Sequence, residues 1–124
     1  MREKRRFPRY DVSNLSQFSA KTKQGPIGET LVNVSEGGCG FWAPAEDFRS
    51  SQGQQVEIEL NAKGVIPEPL LLHGAVAYVI PYPYEGQLGF MYGIKFYDES
   101  CQKVLGLIEY LKELHNDGKA QMAK

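Results

Sequence analysis

The chain has 124 residues, 42% apolar and 23% charged, with a formal net charge of −1. That size and balance suit one soluble domain with a single core and exclude a low-complexity disordered chain. No run of about 18 or more apolar residues occurs, so no membrane-spanning helix is expected. Its two cysteines are too few for a disulfide-built scaffold.

The first element in chain order is a basic arm, residues 1–14. From Met1 to Tyr10, five basic residues (Arg2, Lys4, Arg5, Arg6, Arg9) face only Glu3, a formal +4 that leaves −5 on the remaining residues. An acidic protein with one concentrated basic segment is suited to meet one anionic object at one place. Arginine presents a planar fork of donors that matches phosphate oxygens and the O6/N7 edge of guanine alike. A ligand bearing both phosphate and guanine is the expectation that follows. No secretory pattern opens the chain, so cytoplasmic residence is expected, with Cys39 and Cys101 as reduced thiols.

Leu15 to Lys23 reads as a first strand, followed by a turn at Gly25–Gly28. Glu29 to Ser35 reads as a second strand with Val32 and Val34 on one face and Asn33 and Ser35 on the other. Gly37-Gly38 is expected to close a tight connection through positive φ. Cys39–Ala43 is a third strand, Ser50–Gln54 a loop, and Val56–Leu60 a cleanly alternating fourth strand ended by Asn61–Gly64. Leu70–Ile80 and Gly89–Tyr97 are the fifth and sixth strands, joined through Pro81–Gly86. The period then changes. Cys101, Val104, Leu105, Ile108, Leu111 and Leu114 or His115 stand three and four apart, the spacing of an amphipathic helix. Asp98 or Ser100 is a candidate cap for its start and Asn116-Asp117-Gly118 for its end. The expected fold class is all-β: a six-stranded antiparallel β-barrel with one C-terminal α-helix over residues 15–118, and a frayed tail at 119–124.

Two motifs carry chemistry. The first is Arg5-Arg6-Phe7-Pro8-Arg9. Pro8 removes a backbone donor and biases Phe7 to extended geometry, so the arm is expected to be an irregular clamp, loose alone and ordered by its ligand. The second is Asn33-Val-Ser-Glu-Gly-Gly38, where an amide and a hydroxyl share a face. Gly37 and Gly38 leave backbone N–H groups uncovered for a planar or phosphate-bearing ligand. Taken singly, a solvated terminus and a polar hairpin turn are the better accounts of these motifs.

Taken together, Arg-x-x-x-Arg and Asn-x-Ser-x-x-Gly on a strand-turn resemble the PilZ domain family. These are bacterial receptors for cyclic di-GMP, built as a six-stranded antiparallel barrel with a terminal helix. The resemblance spans essentially the whole chain, including Gly93-Ile-Lys-Phe96 as the family's last strand. Arg2 and Arg6 are also four apart, but the aromatic-proline pair before Arg9 favours the Arg5–Arg9 register. The resemblance implies that Arg5 and Arg9, with Arg6, grip phosphates and guanine edges. It implies that Asn33, Ser35 and Gly38, beside Gly37, line the guanine-contacting face. Lys4 stands just before the first motif arginine, a position that influences whether one or two ligands bind, and is an additional candidate. Trp42 is another, as a base-stacking ring or equally a core residue.

The implied function is a stand-alone receptor that orders its arm on the dinucleotide and signals to an unidentified effector protein, in motility or biofilm regulation. No catalytic set, metal set or cofactor is expected: Asp11, Glu36, Glu46 and Asp47 form no acid–base group, and His73 and His115 read as structural. The Tyr82–Tyr84 proline run reads as an exposed connection, and Tyr78 and Tyr92 as barrel walls. Three alternatives remain at this level. They are a PilZ-like interaction module without nucleotide, a small RNA- or DNA-binding barrel, and a barrel holding an apolar ligand. The intact motifs oppose the first, the acidic remainder opposes the second, and small barrels fill their own interior.

Overall fold

The computed structural model describes residues 7–22, 25–26, 30–46 and 49–122. Period-two sequence makes the strands. In Gln55–Ala62, every second residue (Val56, Ile58, Leu60, Ala62) is buried while the intervening Glu57, Glu59 and Asn61 stay half-exposed. Among the described residues the strands are β1 (Arg9–Asp11), β2 (Phe18–Thr22), β3 (Gly25–Pro26), β4 (Thr30–Ser35), β5 (Gly38–Pro44), β6 (Gln55–Ala62), β7 (Leu70–Pro81), β8 (Gly89–Phe96) and β9 (Gln121–Met122). Two helices, α1 (Asp98–Lys103) and α2 (Leu105–Asn116), lie between β8 and β9. All pairings are antiparallel, in the order β3-β2-β6-β7-β8-β5-β4-β1-β9. The sheet curls until β2 contacts β4.

The six expected strands are β2 and β4 to β8; three short strands are additions. β1 moves the boundary of the arm, because Arg9–Asp11 is paired sheet and not loose chain. Tyr10 and Val12 are buried in the core beside it. Gly25-Pro26, read as a turn, pairs with Lys21 and Thr22. The tail, expected to fray from 119 to 124, pairs at Gln121–Met122 with β1 and buries Ala120. A register shift between Leu31 and Asn33 changes the inner face of β4: Leu31 and Val34 are buried, while Val32 is only half-buried.

The core fills the inside of the curl, with Phe41 stacked on Tyr92 at 5.2 Å between centroids. Helix α2 adds Leu107, Ile108 and Leu111 from one stripe. The single expected helix is two segments meeting at Val104, itself fully buried. Neither expected cap residue bonds at the helix start. Tyr97 is the N-cap, and Ser100 Oγ instead accepts the His73 N–H at 2.7 Å, tying α1 to β7. Gly118 ends α2 with φ of 75°, the left-handed geometry that glycine adopts freely.

Candidate ligand-binding cleft

The site is assembled by cross-strand register. Tyr10, Val34, Cys39, Ile94 and Val76 form one row across β1, β4, β5, β8 and β7, and all are buried. The neighbouring row, Arg9–Ser35–Gly38–Lys95–Ala75, therefore points to the other face. Beyond it, Asp11–Asn33–Gly40–Gly93–Tyr78 shares that outer face. Both rows are small in the middle, with Ser35 and Gly38 between Arg9 and Lys95 in the first and Gly40 and Gly93 between Asn33 and Tyr78 in the second. Together with α1 they make a cleft of about 680 Å³, whose walls include Arg9, Asn33, Tyr78, Lys95, Asp98 and Gln102.

The floor positions are glycine for steric reasons. A Cβ on Gly38 would run into the Ile94 carbonyl oxygen, a rigid backbone atom. One on Gly93 would enter the Tyr78 ring, which lies across it, and one on Gly40 would stand 2.9 Å from Asn33 Nδ2. Gly37 is covered by Phe7, whose Cδ2 would sit 2.9 Å from an added Cβ. The described end of the arm is thus seated on the hairpin at Phe7. Positive φ, expected at Gly37 and Gly38, is found at neither; among the described glycines it occurs at 53, 64, 86 and 118. Glycine is required at 38 by close approach of β8.

Ser35 shapes the turn more than it opens to a ligand. Its hydroxyl donates to the Gly38 carbonyl (3.3 Å) and accepts the Gly37 N–H (3.2 Å), and its exposure is 7%. Only its remaining lone pair is available as an acceptor. Asn33 keeps its amide in the cleft wall over Gly40. Arg9 lies directly across from Ser35, bringing the end of the first motif onto the second, while Arg5, Arg6 and Lys4 lie outside the described residues.

Trp42 is no part of this cleft. It is 4% exposed, donates Nε1–H to the Tyr82 carbonyl at 2.6 Å, and packs against Tyr84 near the opposite end of β5. Two cleft residues escaped the sequence reading. Tyr78 read as a barrel wall, and Lys95 as one letter of a strand motif. Each enters the site through cross-strand neighbours far away in the chain. Alternation within β8 puts Gly93 and Lys95 on one face, the one signal available beforehand.

Electrostatically the described walls are balanced, with Arg9 and Lys95 facing Glu36 and Asp98. Burial pushes the Cys39 thiol up to about 12, so that it stays a neutral core group. Neither Cys39 nor Cys101 is in a disulfide. Among the described residues no three His, Cys, Asp or Glu side chains are placed to hold a metal ion, and no helix is long and apolar enough to cross a membrane. His73 meets Glu57 at 3.2 Å, and His115 bonds the Ala120 carbonyl at 3.1 Å; both contacts hold the fold.

The PilZ domain family model matches residues 3–112, and the chain belongs to that family. Among solved structures it is similar to the K. pneumonia MrkH–c-di-GMP complex, with a TM-score of 0.71 and 15% identity over 96% of this chain and 56% of that one. The PilZ domain with c-di-GMP of YcgR from Escherichia coli matches at TM-score 0.64 and 14% identity, over 94% of this chain and 97% of that one. The Bacillus subtilis inhibitor of motility, MotI/DgrA, matches at 0.59 and 14%, over 92% and 53%. At such identities the likeness is one of fold, and the chain spans little more than half of the MrkH and MotI chains. No curated protein sequence matches it.

Proposed function

We propose that the chain is a cyclic di-GMP receptor that binds the dinucleotide in the cleft between the N-terminal arm and the β4–β5 hairpin. The observation that carries this is the register Arg9–Ser35–Gly38, which sets the last residue of the first motif beside the second. Glycine at 40 and 93 lets the Asn33 amide and the Tyr78 ring lie close over the sheet, and that ring offers a stacking surface to a flat purine. Asn33 supplies an amide to a base edge, and Arg9 supplies its guanidinium to phosphate or to guanine. Family membership and two solved relatives with c-di-GMP in their names support the same ligand.

Because Glu36 and Asp98 offset the two wall cations, net attraction for a dianion falls to Arg5 and Arg6, with Lys4. The arm is ordered further as these charges gain partners, and the altered surface is read by an effector protein in a motility or biofilm pathway. The reading assigns the chain a receptor role and no catalysis. Isothermal titration with cyclic di-GMP, beside cyclic di-AMP and GTP, tests it: selective binding of the first is expected, with two ligands per chain. Equal binding of all three, or of none, overturns it. A one-to-one ratio removes only the role given to Lys4.

A further inference from the structure

Lys95 lies three strands away from Arg9 along one row, with only Ser35 and Gly38 between them. At ordinary strand spacing their Cα atoms are about 14 Å apart. Ser35 is buried with its hydroxyl turned into the hairpin, and Gly38 has no side chain. Two long cations thus flank a low floor. Among the described residues neither forms an ion pair or a side-chain hydrogen bond. Lys95 is exposed on a strand whose neighbours Ile94 and Phe96 are buried, so its backbone is fixed while its ammonium is free to reach inward. Asp98 and Glu36 line the same cleft, yet neither comes within ion-pair distance of Lys95.

We infer that Lys95 is a direct ligand contact, reading the second phosphodiester of the bound dinucleotide from the side opposite Arg9. The inference rests on the proposed cyclic di-GMP site and assigns that site a cation that neither sequence motif contains. A ligand with two phosphates across a ring engages both flanking cations at once. A single phosphate engages only one. Between them the buried Ser35 and Gly38 raise no side chain, which leaves room for the ring.

The test compares Lys95→Gln with Lys63→Gln, which removes the same charge from an exposed turn outside the cleft. Titration with cyclic di-GMP is expected to show Lys95→Gln weakened about tenfold or more, the loss of one charge-assisted hydrogen bond. Lys63→Gln should stay within about twofold, and Lys95→Arg should restore most of the affinity, since a guanidinium also binds phosphate. Thermal midpoints of all three should match the wild type, because the Lys95 side chain is exposed. Equal affinities for the two glutamine variants, or no rescue by arginine, overturn the inference while leaving the receptor reading intact. A wild type that binds no cyclic di-GMP overturns both.

Discussion

Two hairpin tips of the same sheet reverse the chain by opposite means. Between β4 and β5 the reversal is Ser35–Gly38, with no positive φ, a serine bonding across the turn, and a glycine demanded by the Ile94 carbonyl beside it. Between β7 and β8 it is Tyr84–Gln87, closed by reciprocal backbone bonds of 3.0 Å, with φ of 50° at Glu85 and 77° at Gly86. That is the mirror-image turn which matches the twist of two strands. Nothing lies within 4 Å of a Cβ placed on Gly86. The first tip is crowded and polar and forms one wall of the cleft. The second projects into solvent, with Tyr82, Tyr84 and Leu88 exposed around it. The same residue type therefore does different work in each: glycine makes room at one tip and permits a backbone conformation at the other.

The largest test of that contrast is Gly38→Val. Its side chain meets rigid backbone, so urea unfolding should show a loss of about 3 kcal/mol or more, the upper range for overpacking. Near-normal stability would mean that β8 can yield, and the crowded-tip account would fail. Next comes Arg9→Ala, which should weaken cyclic di-GMP binding about 100-fold or beyond detection while the thermal midpoint barely moves. Arg9 is only half-buried and its side chain has no partner among the described residues, so a collapsed midpoint would instead make it structural. Arg5→Ala is expected to follow it in binding.

Ser35→Ala should act on both properties moderately. It frees the Gly37 N–H and the Gly38 carbonyl, at a cost of about 1–2 kcal/mol in unfolding free energy, and lowers affinity several-fold. A loss of affinity as deep as that of Arg9→Ala would show the hydroxyl facing the ligand more than the turn. Gly86→Ala should be the mildest, costing about 1 kcal/mol from left-handed backbone alone and leaving titration curves unchanged. Any effect on binding would mean that the two tips communicate along β8.

What could be read beforehand follows from how local each signal is. β6, β7 and β8 declare themselves by alternation, and α2 by three- and four-residue spacing, because each pattern lies within one segment. β1 and β9 escape notice because three and two residues carry no period; their pairing is decided by what lies alongside. The break at Val104 is equally silent, since the apolar stripe continues through it. In the site, the motif residues Arg9, Asn33, Ser35 and Gly38 were legible as a set. Lys95 and Tyr78 join them only through register across β5 and β8, which no spacing in the chain expresses. Trp42 shows the reverse: its place after the motif suggested the ligand, but the residue count along β5 carries it away to the Tyr82 carbonyl.

β1 has one neighbour on each side: β4, whose hairpin walls the cleft, and β9, which holds Gln121 and Met122. The segment that arrives from the basic arm and the segment near residue 122 are therefore rungs of a single ladder. Main-chain bonds thus link the end of the arm sideways to β9, while Tyr10 anchors the same strand in the core. A spectroscopic label beside Met122, 40% exposed at that margin, is well placed to report changes in the pairing of β1.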